Sequence, residues 1–240
     1  MTAATPAALI RDLQPGLMAD FSDTDYPTKV YGFGPDEPLS VNEEGTAFGY
    51  VWKGEATINV DSRAYTVQAG CYFSLAGTSF AVSGATGFIA FRLGYRGLNS
   101  VGGPTDNVGR LRYIDGCSDT LLIAPPLRGD PCFNLLHFPA GIDQTRHTHP
   151  TIRAGLIHDG RGFCHTALGT EDLLPGKMFI LFPDAIHAFA TEDSDMTLTV
   201  FHPDTDFGPT HEEHPMLNRT IVDGVSAKHI DAIRTNEIRK

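Results

Sequence analysis

All ten histidines of this 240-residue chain lie at or beyond position 137: His137, His147, His149, His158, His165, His187, His202, His211, His214 and His229. Chemistry that needs imidazole is therefore confined to the second part of the chain. Its sharpest signal is His147-Thr148-His149. On a strand, residues i and i+2 project from one face about 6.6 Å apart along the chain, so both rings can reach one metal ion. The same pair also fits two surface histidines. His137, within Leu135-Leu136-His137-Phe138, either lines a cavity as an acid or base or is a satisfied core histidine. His158 and His165 read as surface or turn residues, each able to act as a fourth ligand. His202 ends the last strand of the series, and His211-Glu212-Glu213-His214 has HxxH spacing in a loop between Pro209 and Pro215.

The elements that must position these residues read as short strands. Twenty-five glycines and 16 prolines exceed the combined norm of about 12%, which implies many turns. Apolar, β-branched or aromatic runs of four to seven residues recur between Gly, Pro, Asp and Asn clusters, as in Phe48 to Trp52, Tyr72 to Leu75, Phe88 to Leu93, Phe133 to Phe138 and Lys177 to Phe182. Their spacing of about 8–12 residues is that of a sandwich or barrel. Short helical segments are expected at Ala7 to Leu13, ended by Pro15-Gly16, and at Val225 to Ile238, where Ile230, Ile233 and Ile238 have roughly helical spacing.

Composition excludes several classes. A net charge of −11 without a basic block would be repelled by a nucleic-acid backbone. The longest apolar stretches are far below the roughly 20 residues of a spanning helix, so no membrane role is expected. The start of the chain lacks the pattern of a secretory signal. Cys71, Cys117, Cys132 and Cys164 form no CxxC pair, so reduced thiols in a cytoplasmic protein are the expectation.

A shift of 106 positions superposes the chain on itself. Gly49-Tyr50-Val51-Trp52-Lys53-Gly54 falls on Gly155-Leu156-Ile157-His158-Asp159-Gly160, and Gly70-Cys71-Tyr72-Phe73-Ser74-Leu75 falls on Gly176-Lys177-Met178-Phe179-Ile180-Leu181. No gap is needed between the two matches. This predicts two homologous β-domains at 22–96 and 110–206, followed by a tail at 207–240.

Within the second domain, Gly141, five residues and His147-Thr148-His149 are followed by Gly160, Gly162, Pro175-Gly176, Pro183 and His187. This succession resembles the two sequence motifs of the cupin superfamily. The resemblance extends over about 180 residues and implies a bicupin of two tandem double-stranded β-helix (jelly-roll) barrels. It also implies His187 as a third metal ligand beside His147 and His149. The first half carries Val41, Glu43 and Ala81 at the matching positions, so its barrel is expected to hold no metal.

Two family residues are missing. Where a glutamate ligand is expected stands Pro150-Thr151-Ile152-Arg153-Ala154, and Thr191 replaces the asparagine closing the second motif. The site should therefore be three-histidine, similar to the neutral faces of cupin dioxygenases. That implies Fe(II) first, with zinc, nickel, manganese or copper able to occupy the same face. Arg153, four residues after His149, points into the barrel if the strand is unbroken and would anchor a substrate carboxylate. A bulge would instead turn it outward to pair with an acid. The resulting expectation is a dioxygenase-type enzyme acting on a small, carboxylate-bearing or enolisable molecule. A non-oxidative lyase or isomerase using His137, and a ligand-binding bicupin without turnover, are the alternatives. A homodimer is also expected, with the segment before Phe21 crossing onto a neighbour's sheet.

Overall fold

Runs such as Phe88-Ile89-Ala90-Phe91 and Met178-Phe179-Ile180-Leu181 are apolar at consecutive positions. Successive strand residues point to opposite faces, so both faces of these strands must be covered. The computed structural model, which describes residues 8–238, is built almost wholly of antiparallel strands that meet this demand. In chain order the first are β1 (Ala8–Asp12), β2 (Gly16–Phe21), β3 (Thr28–Phe33), β4 (Leu39–Val41), β5 (Gly45–Val60), β6 (Arg63–Gln68), β7 (Tyr72–Gly77), β8 (Phe80–Leu93) and β9 (Ser100–Gly102). Then follow β10 (Leu111–Arg112), β11 (Ser118–Ile123), β12 (Cys132–Phe138), β13 (Arg153–Gly160), β14 (Gly162–Thr166), β15 (Gly169–Leu173), β16 (Lys177–Leu181), β17 (His187–Ala190) and β18 (Met196–His202).

The first half forms one sheet in the order β2-β3-β8-β5-β7-β9, with β4 paired to β8 and β6 to β5. Its two long strands, β5 and β8, curl through bulges near Val51 and Gly54 and so wrap a core of their own. The second half divides into a sheet β1-β16-β13-β18-β12-β11-β10 and a smaller one, β15-β14-β17. Gly160-Arg161-Gly162 and the turn after Ala190 break the strands that run on continuously in the first half.

Three apolar cores follow. Phe73, Phe80, Phe91 and Ile89 fill the first half, and Phe138, Phe179, Phe189 and Leu198 lie inside the second. Between them Phe48, Tyr50, Phe88 and Ala90 pack on Phe133, Ala154, Leu156 and Phe201. Alternate residues of one strand thus serve different cores, which is why the runs lack a polar face.

The 106-residue repeat has matching local structure at its glycines. Gly49 pairs with Phe73 and Gly155 with Phe179 across neighbouring strands. A Cβ at either glycine would lie 2.3 Å or 2.4 Å from the ring tip of that phenylalanine. Gly54, Gly70, Gly160 and Gly176 all adopt positive φ, where a side chain is strained. The amides of Gly70 and Gly176 donate to Val51 and Ile157 at 2.8 Å, again 106 residues apart.

The terminal helices expected from the sequence are not observed. From Ala8 the first segment forms β1 and β2, while Ala7 lies outside the described residues. β1 pairs with β16 of the same chain. Its alternating residues enter two cores, Leu9 between the halves and Ala8 and Ile10 in the second. So short a helix would be marginal alone, whereas the strand covers an open edge. The tail holds a five-residue helix α1 (Pro215–Arg219), a hairpin of β19 (Ile221–Val222) and β20 (Val225–Ser226), and two 3-10 turns. Asp223-Gly224, both at positive φ, make the tight turn of that hairpin. Ile233 and Ile238 are exposed, so a helix there would have no core to pack on. All four cysteines are free thiols. Among the described residues no helix is long and apolar enough to cross a membrane.

Candidate metal centre and cavity

Gly141 turns at φ 78° and sends residues 142–152 back along β17. The amide of Gln144 donates to the Phe189 carbonyl at 3.0 Å, and His147 and His187 exchange both backbone hydrogen bonds at 3.0 Å. Asp115 holds the loop by accepting from the Thr145 amide at 2.7 Å. This short antiparallel ladder brings together three rings from two distant segments. Candidate ligand atoms of His147, His149 and His187 lie within 4.8 Å of one another, and the ring centroids are 4.5–5.1 Å apart.

The rings are prepared to bind a cation. His147 Nδ1 donates to the Thr145 carbonyl at 2.7 Å and His187 Nδ1 to the Ala185 carbonyl at 2.9 Å. Carbonyls only accept, so the protons sit on Nδ1 and leave the Nε2 lone pairs free. His187 is 1% exposed, and its Nε2 has no hydrogen-bond partner. Burial, followed by Arg153 and the neighbouring imidazoles, pushes His149 down to about 3. Burial likewise pushes His187 down to about 4. Neutral imidazoles with an orphaned buried nitrogen fit a divalent metal that takes nitrogen donors. Among the described residues no acidic side chain joins the group.

Arg153 opens β13 and is 9% exposed. It lines the cavity, although bends at Pro150 and Thr151 separate it from His149, so the unbroken strand considered between the two is not observed. Its Nη1 donates to the carbonyls of Thr151 and Ile152 and to Thr151 Oγ1 at 2.7 Å. Thr151 Oγ1 in turn donates to Asp204, a relay that fixes the guanidinium. Arg153 Nε is buried without a partner.

His147, His149 and Arg153 line one cavity of about 350 Å³. Inward residues alternate along every strand: Asp119 and Leu121 on β11, Asn134 and Leu136 on β12, Phe179 and Leu181 on β16, Leu198, Val200 and His202 on β18. Leu111, Tyr113 and Phe207, all partly exposed, ring its mouth. His202 therefore joins the cavity. Burial, then Arg153 and His149, pushes its pKa well down.

Other sequence candidates lie elsewhere. His137 is on the opposite face of β12, buried, with Nδ1 3.2 Å from Thr197 Oγ1, and does not line the cavity. His158 stacks on Tyr50 at 4.9 Å in the seam between the halves. His165 bonds Thr170 on an exposed strand. His214 caps α1 by accepting from the Met216 amide, and His211 is exposed. Asp119 and Asn134 carried no motif that would have singled them out.

The two antiparallel sheets of the second half, with a histidine cluster on the loop and strand that bridge them, define a cupin-type fold. A family model described as the AraC-like ligand binding domain matches residues 140–209. The cupin 2 conserved barrel domain protein from Leptotrichia buccalis is similar in structure, with TM-score 0.52, 15% identity, 84% of this chain and 91% of that one covered. A putative glyoxylate-induced protein from Pseudomonas aeruginosa reaches TM-score 0.57 at 16% identity, covering 85% and 82%. A salicylate 1,2-dioxygenase from Pseudaminobacter salicylatoxidans gives 0.54 at 14%, covering 73% and 70%, and that enzyme is also known with gentisate bound. No curated protein sequence matches the chain. The cupin fold implied by the motifs is thus the fold observed.

Proposed function

We propose that the chain is a metal-dependent cupin enzyme of dioxygenase type, acting on a small organic acid. The observation that carries this reading is Arg153, a buried guanidinium that lines the same cavity as His147 and His149 of the three-histidine group. It stands where a metal-binding acid would otherwise be expected. A cation there cannot ligate, and an apolar cavity tolerates it best with an anion beside it.

His147, His149 and His187 would hold the metal, with Fe(II) the first choice. Once bound, that ion supplies Lewis acidity and a site where dioxygen and substrate can meet. Arg153 binds the substrate carboxylate, and the Thr151–Asp204 relay keeps the guanidinium aimed. Phe179, Phe189, Leu198 and Val200 enclose the apolar body and exclude water. The sequence match between residues 49–75 and 155–181, with its paired glycine and phenylalanine contacts, supports reading 22–96 and 110–206 as tandem cupin units. Only the second would carry a site. We also retain a homodimer, and a monomeric mass by light scattering rejects it.

The test is oxygen consumption by Fe(II)-loaded protein over a panel of small carboxylic acids. Uptake that depends on one acid supports the enzyme. Arg153→Gln should keep its metal and lose roughly 2–5 kcal/mol of transition-state stabilisation, the cost of breaking a buried charge pair. Lysine should restore this only in part, because it lacks the two-pronged geometry. Turnover equal to wild type in Arg153→Gln refutes the anchor. The family match to a ligand-binding domain favours a second reading, binding without turnover, and tight acid binding with no oxygen uptake selects it. The non-oxidative reading loses its proton carrier, since His137 faces away from the cavity.

A further inference from the structure

The cavity holds a second polar feature, opposite in character to Arg153. Asp119 on β11 and Asn134 on β12 both line it. Asn134 Nδ2 donates to Asp119 Oδ2 at 2.9 Å. That bond sets the amide, because a carboxylate can only accept, and so turns Asn134 Oδ1 away from it. Asn134 is 6% exposed, and its Oδ1 has no partner. Asp119 makes no ion pair among the described residues. A carboxylate whose one partner is Asn134 thus sits on the cavity wall beside an orphaned buried amide oxygen, and a buried polar group left without a partner is costly. Core packing does not account for them, since leucines at both positions would fill the same wall.

We infer that Asp119, steered by Asn134, is a specificity-determining contact that accepts a hydrogen bond from a hydroxyl or amino group on the bound acid. This deepens the carboxylate-anchor reading and rests on it. The cavity then reads two ends of one molecule: Arg153 takes the anionic group, and the Asp119–Asn134 pair takes a donor. Burial raises the Asp119 carboxyl, and a ligand donor would favour its ionised form. A molecule offering only a carboxylate and an apolar body would strand both acceptors. Rejection of an analogue lacking the donor is the strong form of discrimination, because it leaves buried groups unpaired.

The experiment uses Zn(II)-loaded full-length protein and calorimetric titration with two matched series. These are benzoate, 3-hydroxybenzoate and 3-aminobenzoate, and pentanoate, 5-hydroxypentanoate and 5-aminopentanoate. At least one donor-bearing acid should bind about tenfold or more tighter than its parent, as a hydrogen bond to a charged group allows. In the double variant Asp119→Leu/Asn134→Leu the ratio should fall to within about twofold, the parent acid binding more tightly than to wild type because no acceptor is left stranded. The double variant should also melt no lower than wild type, because removing both polar partners together leaves nothing stranded. Arg153→Gln should weaken every acid while keeping the ratio.

Three results overturn the inference while leaving the anchor intact: no donor preference in the wild type, a preference that survives in the double variant, or melting lowered by more than about 5 °C, which marks a structural pair. Acids that bind Arg153→Gln as well as wild type, or a wild type that binds no acid of either series, defeat the anchor and the inference together.

Discussion

The two halves of the molecule share their turns and differ in their interiors. In the first, Phe73 and Phe80 stack at 6.2 Å and Phe80 meets Phe91 at 6.5 Å, leaving a packed interior of Phe33, Val41 and Ile58. The second keeps the phenylalanine, as Phe179, but opens a cavity lined by His147, His149, Arg153 and His202. The bridge that joins His147 to His187 corresponds to β4 against β8, where Ser40 faces Ala81 and Val41 faces Phe80, one residue out of register. Glu43, the counterpart of His149, turns outward to Lys29 at 2.7 Å. Turn glycines and ring contacts therefore set the fold, and the residues on inward strand positions decide whether a half does chemistry.

The sharpest way to break that comparison is to count metal. One divalent ion per chain is expected, with binding at micromolar concentration abolished in His147→Ala, His149→Ala and His187→Ala. Two tightly held ions per chain would place a site in the first half, and near-normal metal in any one variant would remove that histidine from the set.

Legibility followed the same division. The 106-residue offset was readable because positive φ and a phenylalanine ring against a strand each admit only glycine, so Gly49, Gly54, Gly70 and their partners could not drift. His147 and His149 were readable because spacing by two puts both on one face. Strand phase was not. β12 is apolar on both faces, and its two polar residues, Asn134 and His137, have opposite parity. Nothing local says which points inward, and the structure turns the asparagine to the cavity and the histidine away from it. Asp119 was silent for a related reason, being one acid among 29 acidic residues. β1 resembles a helix in sequence because a strand serving two cores shows no polar–apolar alternation.

A smaller effect tests how the halves are joined. His158 stacks on Tyr50 in the seam, its Nε2 is buried without a partner, and burial pushes it down to about 4, with Asp159 opposing. Its folded value lies below that of the unfolded chain, so the two states are equally deprotonated above about 6.5. As pH falls below that, the unfolded chain takes up a proton that the seam refuses. Stability should drop by at most about 1.4 kcal/mol per pH unit from this group, levelling off below about 4. His158→Phe keeps an aromatic ring on Tyr50 and should flatten that part of the profile in denaturant titrations between pH 6.5 and 4. An unchanged slope would assign the acid sensitivity to other histidines.

The last prediction sets the repeat against itself through Gly49 and Gly155. A methyl at Gly49 meets Phe73 and the Ile89 side chain, both within the filled interior. A methyl at Gly155 meets Phe179 and the Thr199 carbonyl, and Phe179 borders the cavity. Gly49→Ala and Gly155→Ala should each destabilise the protein by about 1–3 kcal/mol, the usual range for overpacking. Their consequences for the site should diverge. In the first half the ring has nowhere to go, so the loss is one of stability alone, and metal and acid binding stay normal. In the second the ring can swing into the cavity, so acid affinity falls as well. Adding Phe73→Leu or Phe179→Leu should recover part of the stability in its own half, because the shorter side chain clears the new methyl. Chemical denaturation with parallel acid titration reads both effects. If Gly49→Ala weakens acid binding as much as Gly155→Ala does, the halves are not independent in the way their interiors imply.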